Sequence, residues 1–410
     1  MTIVRTLLKK LLFPVYLALA TSFLLFSLIE VFPGLLDVVH LDAIRYFAQK
    51  RGNEQDDQLV YRPRAGEFTI DTAFIGDQYD IDPLLAEQVR APAIRYSASY
   101  KDGFRANSSS PPYDMLVLGD SFVDIGESDD STFSELVAGH TGLATFNLGR
   151  AAYGPYQYKA LLTQYLKLRP RYAVVCFFAG NDIEEVRAYE EFLAGGDCGI
   201  YVRGRSFPGR YAIAVSDTFS ALAKAFRETV IPRARRLAIR DYIGAIRLND
   251  RTVPMRFSYW NPKQSPEELV RSKDWQSLQR VLGEIKAITD REGIELVIVY
   301  IPTKAQVYGR HFVERESGAG FLRRIHDQLR HERNTLEAFV AVTSALGLGF
   351  VDLDGHFGKL AAEGELLFYP FDTHWNKRGR EAAAEYLAAH LRGRDRSPPA
   401  RPTAAPSAAR

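Results

Sequence analysis

The sequence contains little cysteine, methionine or tryptophan: two, three and three residues in a chain of 410. Two cysteines do not make a disulfide framework, and no CxxC or His/Cys spacing indicates a structural metal site. The formal net charge of +2 gives no indication of a nucleic-acid partner. With 46% apolar and 25% charged residues, the composition is that of a globular protein.

Charge is absent from Leu11–Ile29, which is long enough to cross a hydrocarbon core of roughly 30 Å as a helix. Basic residues precede this stretch, which predicts a cytoplasmic N-terminus and a periplasmic or extracellular remainder. A cleaved signal peptide is the alternative, with Ala18–Ala20 as the cleavage box. The apolar run continues for nine residues beyond that box, so an uncleaved single-pass anchor in the cytoplasmic (inner) membrane is favoured.

Strand-like and helix-like patterns alternate from Met115 onward. Apolar runs without polar alternation predict strands buried on both faces, and such strands separated by helices predict a parallel sheet. We expect an α/β doubly wound domain with its ligands at the carboxyl ends of the strands. The predicted strands are MLVLG, ATFNLG, YAVVCFFAG, IELVIVYIP and LGFVDLD, and the predicted helices are 131–140, 156–168, 272–292, 321–346 and 377–391.

The rest of the chain is divided by composition. Short strands are expected in LVYRPRAGEFTID, and the long connection after the third strand predicts a helical insertion that caps the site. Its basic stretch Ile231–Arg247 suits either an anionic membrane surface or, by preference, a solvated helix with one buried face. The predicted boundaries are a cytoplasmic segment 1–10, an anchor 11–32, a juxtamembrane region 33–110, a main domain 111–393 with its insertion at about 183–270, and a disordered tail 394–410.

Ser121 follows Gly119 and Asp120 at the end of the first strong strand. A hydroxyl there is a nucleophile only if a base is bound to it, and the same serine also suits a helix N-cap. The G-x-S-x-G pattern is absent, so this stretch alone decides nothing.

Three later segments supply the missing groups. The small-residue loop Asn147–Pro155 lets a backbone approach a ligand, and Asn181 offers an amide N–H at the third strand end. Asp372 and His374 are two residues apart, so in an extended segment both project to one side. Nucleophile, base, acid and oxyanion donors at one sheet edge are the set that acyl transfer requires. A metal site is the alternative for His374, but no second ligand lies at suitable spacing.

These blocks (GDS, the small-residue loop, GND and DTHWN) resemble those of the SGNH, or GDSL-type, hydrolases over roughly 113–392. The resemblance implies a flavodoxin-like three-layer α/β/α sandwich and a serine acyl-enzyme, without a cofactor. It assigns the nucleophile to Ser121, the acid to Asp372 and the base to His374. The oxyanion hole would be formed by Ser121, Ala152 and Asn181.

The chain departs from the family pattern at two positions. Ala152 stands where the family has its oxyanion glycine, and alanine suffices only if its backbone angles permit. If a positive φ is required, Gly149 or Gly154 must serve instead, or the hole is impaired. The acid is two residues before the histidine rather than three, a D-x-H-W-N form that resembles membrane-anchored bacterial members and alginate O-acetyltransferase-like proteins.

Further candidates for substrate contact are Asp120, Gly154, Lys304 and Trp375. Lys304 lies in IPTKAQVY, which resembles a segment of the same relatives, although lysines are usually exposed and a surface position is favoured. The aromatic residues of the insertion (Tyr201, Phe207, Tyr211, Tyr259 and Trp260) suit a glycan or acyl chain, or equally a packed core.

Three functions are open at this point. The first is a membrane-anchored serine esterase that removes acyl groups, with acetyl from an envelope polysaccharide as one substrate. The second is an O-acyltransferase in exopolysaccharide or cell-envelope glycan assembly, and the third is a non-catalytic glycan-binding or assembly protein on the same fold.

Overall fold

A computed structural model describes residues 53–56, 60–63, 67–74, 94–101, 103–194, 243–257, 265–313, 319–370 and 372–394, together with residue 21. Within these ranges no helix is both long and apolar enough to cross a membrane. The predicted anchor (apart from residue 21), Cys198, the five aromatic residues of the insertion and the tail beyond residue 394 lie outside them.

Twelve strands and ten helices form the described part of the chain. The strands are β1 (Asn53–Asp56), β2 (Val60–Pro63), β3 (Glu67–Phe74), β4 (Ile94–Lys101), β5 (Phe104–Arg105), β6 (Met115–Gly119), β7 (Thr145–Gly149), β8 (Tyr172–Phe178), β9 (Ile243–Leu248), β10 (Arg251–Arg256), β11 (Glu295–Ile301) and β12 (Gly349–Asp352). The helices are α1 (Ser121–Asp124), α2 (Phe133–Thr141), α3 (Pro155–Tyr165), α4 (Asp182–Leu193), α5 (Pro266–Arg271), α6 (Lys273–Glu292), α7 (Lys304–Tyr308), α8 (Ala319–Ala345), α9 (Leu353–Ala362) and α10 (Lys377–Arg394).

The central sheet has five strands in the order β12-β11-β8-β6-β7, and every neighbouring pair is parallel. Counted along the chain this is the order 2-1-3-4-5, the flavodoxin-like arrangement. All five strands coincide with predicted ones, and the five predicted helices are present with ends shifted by a few residues. The predicted fold class is therefore confirmed.

The core lies on both faces of this sheet. Met115 and Val117 of β6 pack with α2, α9 and α10, whereas Leu116 and Leu118 pack with α3, α6 and the later part of α8. Successive side chains of a strand point to opposite faces, so a strand that is apolar throughout needs helices on both sides. The result is a three-layer sandwich, and Cys176 lies inside it as a buried free thiol.

The N-terminal strands form two small antiparallel sheets, β1-β2 and β3-β4-β5. Of these, β2 and β3 fall on the stretch where short strands are expected from sequence. The three-stranded sheet contacts the main domain near the predicted nucleophile, since the Ser97 N–H donates to the Glu127 carbonyl at 2.7 Å.

The helical prediction for the insertion is wrong at its later end. β9 and β10 form an antiparallel hairpin where the basic helix Ile231–Arg247 was expected to end, and 231–242 lie outside the described residues. The hairpin is paired on both sides: Arg247 N–H donates to the His311 carbonyl at 2.7 Å, and Arg256 N–H donates to the Pro370 carbonyl at 2.8 Å. Tertiary backbone pairing of this kind overrides a local helical pattern.

Glu332 of α8 is fully buried, and its Oε1 accepts hydrogen bonds from Thr303 Oγ1 at 2.6 Å and Gln328 Nε2 at 2.7 Å. Burial raises the pKa of Glu332 to about 7. The folded state thus binds this proton more tightly than the unfolded state, so stability is lost as pH rises from about 4.5 through about 7. In Glu332→Gln that loss, about 3 kcal/mol at most, should disappear. Urea unfolding of both proteins between pH 4 and 8 tests this, and parallel stability curves would contradict it.

Candidate active site

Ser121 is the first residue of α1, immediately after the carboxyl end of β6. Asp120 caps this helix, because its Oδ1 accepts a hydrogen bond from Phe122 N–H at 2.9 Å. Only glycine fits at the two strand ends that face α1. A Cβ at Gly119 would lie 2.4 Å from a methyl group of Val123 in this helix, and a Cβ at Gly149 would lie 2.5 Å from Val123 Cβ. The two glycines let α1 lie directly against β6 and β7, which sets the position of the serine.

The structure brings the three predicted triad residues together. His374 Nε2 lies 2.7 Å from Ser121 Oγ, and His374 Nδ1 lies 2.7 Å from Asp372 Oδ1. The same Asp372 oxygen accepts the His374 backbone N–H at 2.8 Å. A carboxylate at Nδ1 favours the tautomer with its proton there, so Nε2 is left to accept the proton of the serine.

The segment 369–376, which carries both Asp372 and His374, is held by backbone and side-chain bonds. Tyr369 N–H donates to the His374 carbonyl at 3.1 Å, and Asn376 N–H donates to the Leu367 carbonyl at 2.9 Å. Trp375 is fully buried, and its Nε1–H donates to the Phe122 carbonyl at 3.1 Å. Trp375 was expected to contact substrate. Its burial corrects that expectation: it ties the histidine segment to the serine helix.

Asp372 is ionised although it is largely buried, with only 9% of its surface exposed. Burial by itself would raise its pKa, but the charge of His374, two hydrogen bonds from His374 and the charge of Lys304 together lower it to about 2. An ionised acid next to the imidazole stabilises the imidazolium that forms when the serine loses its proton.

Ala152 adopts a left-handed backbone, with φ 63°. It lies in the turn after β7, where Tyr153 N–H donates to the Arg150 carbonyl at 3.1 Å. With a positive φ at its third residue only, this is a type II turn, which favours glycine at that position. The turn does require a positive φ, and Ala152 supplies it at a cost of roughly 1–2 kcal/mol relative to an ordinary conformation.

If this site hydrolyses p-nitrophenyl acetate, Ala152→Gly should retain at least the wild-type rate and change stability by less than about 1 kcal/mol, since relief of strain offsets glycine's flexibility when unfolded. Ala152→Val, with a β-branched side chain at positive φ, should lose more than about 1 kcal/mol and most of the activity. Urea unfolding and p-nitrophenyl acetate hydrolysis measure both effects. A valine variant as active as the glycine variant would refute this account of the turn.

Neither glycine proposed as a substitute for Ala152 has a positive φ in this structure. Gly154 instead precedes α3 with φ −130°, and a Cβ there would lie 2.6 Å from Glu185 Cβ on α4. Its smallness thus serves helix packing.

Asn181 is at the N-cap of α4, after the carboxyl end of β8, and its Oδ1 is buried without a hydrogen-bond partner in the described part of the chain.

Two carboxyl groups adjacent in sequence to predicted site residues are buried: Asp120 precedes Ser121, and Asp182 follows Asn181. Asp120 is 1% exposed and Asp182 is fully buried. Burial raises the pKa of Asp120 to about 6 and, together with the nearby Asp120, raises that of Asp182 well above its usual range. Asp182 Oδ2 accepts Phe178 N–H at 3.0 Å, and its Oδ1 lies 3.1 Å from the Tyr158 hydroxyl. The burial of Asp120 argues against direct substrate contact, and the structural role of Asp182 was missed because GND also suits an ordinary turn.

Lys304 is buried rather than on the surface, with 6% exposure. Its Nζ donates to the backbone carbonyls of Tyr369 at 3.1 Å and Pro370 at 3.2 Å. The preference for a surface position was wrong because the usual exposure of lysine does not foresee carbonyl acceptors brought in from a distant segment.

A buried polar network that was not predicted from the sequence lies behind the histidine segment. Arg380 is fully buried and donates to the Ser131 carbonyl at 2.7 Å, to the Trp375 carbonyl at 3.1 Å and to Glu127. Glu127 also accepts from the Tyr369 hydroxyl. The sequence did contain a signal for this network. An acidic residue, Glu127, follows the serine stretch, and a basic residue, Arg380, follows the histidine segment, so charges of opposite sign come after the two catalytic stretches.

One group of metal-ligating side chains occurs among the described residues: His140 of α2 with Glu381 and Glu385 of α10, whose ligand atoms lie within 4.8 Å of one another. It includes none of the predicted site residues, and Glu385 is already paired with Arg378 at 3.4 Å. Exposed groups of this kind are common without an ion, so we assign it no role.

The fold and these contacts define the class of the site: a Ser-His-Asp arrangement at the carboxyl edge of a flavodoxin-like sheet. Residues 262–408 match the family described as the SGNH hydrolase-like domain of the acetyltransferase AlgX. This region contains Asp372 and His374 but not Ser121 or Asn181. The predicted resemblance to SGNH hydrolases and alginate O-acetyltransferase-like proteins is confirmed.

Among individual proteins, the chain is similar to a probable alginate O-acetylase AlgJ of Pseudomonas aeruginosa, with 31% identity over 130 residues. A probable AlgJ of Azotobacter vinelandii is 25% identical over 114 residues. These matches cover 32% and 28% of this chain and only 29% and 26% of the relatives. The acetylxylan esterase Axe2 of Geobacillus stearothermophilus aligns at 11% identity and TM-score 0.36, covering 70% of this chain and 96% of that one.

Proposed function

We propose that this chain is an SGNH-type serine acyl-transfer enzyme that cleaves an acyl ester through Ser121. The observation that carries the proposal is the continuous hydrogen-bonded line from Ser121 Oγ through His374 to Asp372, with both side-chain distances 2.7 Å. A serine hydroxyl bound to an imidazole that is itself held by a carboxylate is the arrangement that activates a serine nucleophile.

In the first half of the reaction, His374 Nε2 takes the proton from Ser121 Oγ as the oxygen attacks the ester carbonyl. The negative charge that develops on the carbonyl oxygen would be held by the N–H groups of Ser121 and Ala152 and by the Asn181 amide. His374 then returns the proton to the departing alcohol, leaving an acyl-serine. Water, or another hydroxyl activated by the same imidazole, releases the acyl group.

Ester hydrolysis is the first candidate, and transfer of the acyl group to a polysaccharide hydroxyl is the second. Similarity to probable alginate O-acetylases and the match to the AlgX domain favour the second. In both reactions, the names of these relatives suggest that the acyl group is acetyl and that the hydroxyl carrying or receiving it belongs to a glycan.

The apolar stretch Leu11–Ile29 supports an anchored protein that works outside the cytoplasmic membrane. A non-catalytic binding role is the third candidate, and Ala152 no longer favours it, because alanine adopts the required backbone.

The test compares the full chain with Ser121→Ala, using p-nitrophenyl acetate with and without de-acetylated alginate. Release of p-nitrophenol and fluorophosphonate labelling in wild type only would support the acyl-serine. Acetate recovered as free acid identifies a hydrolase, and acetate recovered on the glycan identifies a transferase. Equal turnover by both proteins, or no turnover and no labelling in either, would reject the proposed mechanism.

A further inference from the structure

Lys304 is a buried cation that the triad chemistry does not use. It is the first residue of α7, just beyond the carboxyl end of β11 and therefore at the sheet edge where β6 and β8 present Ser121 and Asn181. Desolvating an ammonium group is costly unless its protons find acceptors. Its burial in this position thus calls for a specific set of partners.

The partners lie on the catalytic segment. Lys304 Nζ reaches the carbonyls of Tyr369 and Pro370, two consecutive residues that come shortly before Asp372. Its third contact is the ring of Phe257, whose centroid is 5.9 Å from Nζ and which adds a weak cation–π attraction. Because carbonyl oxygens only accept hydrogen bonds, a cation with several donors is suited to fix both at once.

The backbone at the start of α7, from which the Lys304 side chain extends, is held firmly. Thr303 caps α7 by a reciprocal pair of bonds: its N–H donates to Gln306 Oε1 at 2.9 Å, and its Oγ1 accepts Gln306 N–H at 3.3 Å. The Thr303 hydroxyl in turn donates to the buried Glu332 on α8. Lys304 therefore links a rigid sheet edge to the segment that carries the acid and the base.

The ammonium group also acts electrostatically on this segment, since its charge helps to lower the pKa of Asp372. Other charged or titratable groups surround the same contact. They are His374 and Tyr369 on the segment itself, Glu127 bound to Tyr369, Arg256 at the end of β10 beside Pro370, and Glu332 behind Thr303.

We infer that Lys304 is a positioning residue of the acyl-transfer reaction: its ammonium group fixes the 369–376 segment through the Tyr369 and Pro370 carbonyls and so holds Asp372 and His374 in line with Ser121. Substrate contact is not needed for this role. The inference rests on the proposed function, so its test begins from a wild-type chain shown to hydrolyse p-nitrophenyl acetate and to lose that activity in Ser121→Ala.

The experiment compares Lys304→Met, which keeps the length and removes the charge, with Lys304→Arg, which keeps the charge. Lys359→Met, on the exposed part of α9, is the control for the loss of one positive charge. We expect Lys304→Met to lower kcat roughly 10- to 100-fold with little change in KM, because a displaced base is costly whereas substrate binding is untouched. The acid limb of its kcat/KM profile should move to higher pH by roughly half a unit, since the Asp372–His374 pair has lost a neighbouring cation and takes up a proton more readily.

A double-mutant cycle with Asp372→Asn gives a second readout. If Lys304 acts through Asp372, the combined variant loses less than the product of the two single losses. The inference would be overturned if a folded Lys304→Met protein had wild-type kcat and its kcat/KM profile had the same acid limb as wild type. The acyl-serine mechanism would remain intact in that case. Should Lys304→Met not fold, Lys304→Arg decides: a wild-type pH limb supports the inference, and a displaced limb contradicts it.

Discussion

Alanine in place of Ser121 or His374 is expected to lower kcat for p-nitrophenyl acetate on the order of 10⁴-fold or more, and the double variant is expected to be no worse than either single one. The reason is the 2.7 Å contact between Ser121 Oγ and His374 Nε2: the hydroxyl attacks only while the imidazole takes its proton, so the pair acts as one unit. Steady-state kinetics on the two single variants and the double variant measure the effect.

His326→Ala is the matched control, because this exposed histidine of α8 changes the same residue type away from the predicted triad. Its kcat should equal that of wild type. Losses that multiply in the double variant would mean that Ser121 and His374 act independently, which is incompatible with the proposed proton transfer.

Replacing Arg380 by methionine should lower the free energy of unfolding by about 3–5 kcal/mol. The guanidinium is fully buried, donates to the carbonyls of Ser131 and Trp375, and neutralises Glu127. Methionine keeps most of the volume but leaves a partly buried carboxylate and two carbonyls without their donor. Urea unfolding measures the loss of stability, and p-nitrophenyl acetate kinetics should show a lower kcat as the histidine segment loosens.

Arg378→Met provides the comparison, since Arg378 is a half-exposed arginine two residues earlier on the same helix and pairs with Glu365. Ion pairs in contact with solvent contribute about 0–1 kcal/mol, so this variant should remain close to wild type. Equal losses in the two variants would show that the buried contacts of Arg380 have no special weight.

The acid–base roles in this site depend on groups that no local pattern joins. Burial lowers the pKa of Arg380 to about 9, yet it remains charged at neutral pH. The pKa of Asp372 is lowered to about 2 whereas that of the buried Asp120 is raised to about 6, although both are aspartates at one sheet edge. The difference arises because burial dominates at Asp120, whose Oδ2 has no hydrogen-bond partner in the described part of the chain, whereas the charge of His374 and its two hydrogen bonds outweigh burial at Asp372.

The elements predicted best were those whose residues carry their own signal. The strands β6, β8 and β11 are apolar on both faces, and that composition fits only a sheet covered by two helical layers. The hairpin β9-β10 was missed because its partners are His311 and Pro370, which are far away along the chain. The insertion's basic, partly amphipathic pattern was compatible with a helix until those partners were placed beside it.

Ala152 shows where sequence reasoning stops in the site itself. The sequence shows alanine where a glycine is usual, but whether the turn demands a positive φ depends on how β7 connects to α3. Lys304 illustrates the same limit for charge, because only the folded chain places two carbonyls from residues 369 and 370 around its ammonium group.

The sequence by itself determined the parallel α/β architecture, the order of the strands along the chain, and the residue types that acyl transfer needs at the strand ends. Those features follow from local hydrophobicity and from the rule that parallel strands end at one edge. Tertiary structure alone decided which of these side chains meet. The serine–histidine contact joins residues 253 positions apart, and the approach of α1 to the sheet depends on Gly119 and Gly149. The burial of Lys304 and Arg380 depends on acceptors brought from other segments. Distances of 2.7 Å between remote residues are set by packing, which no local pattern in the chain encodes.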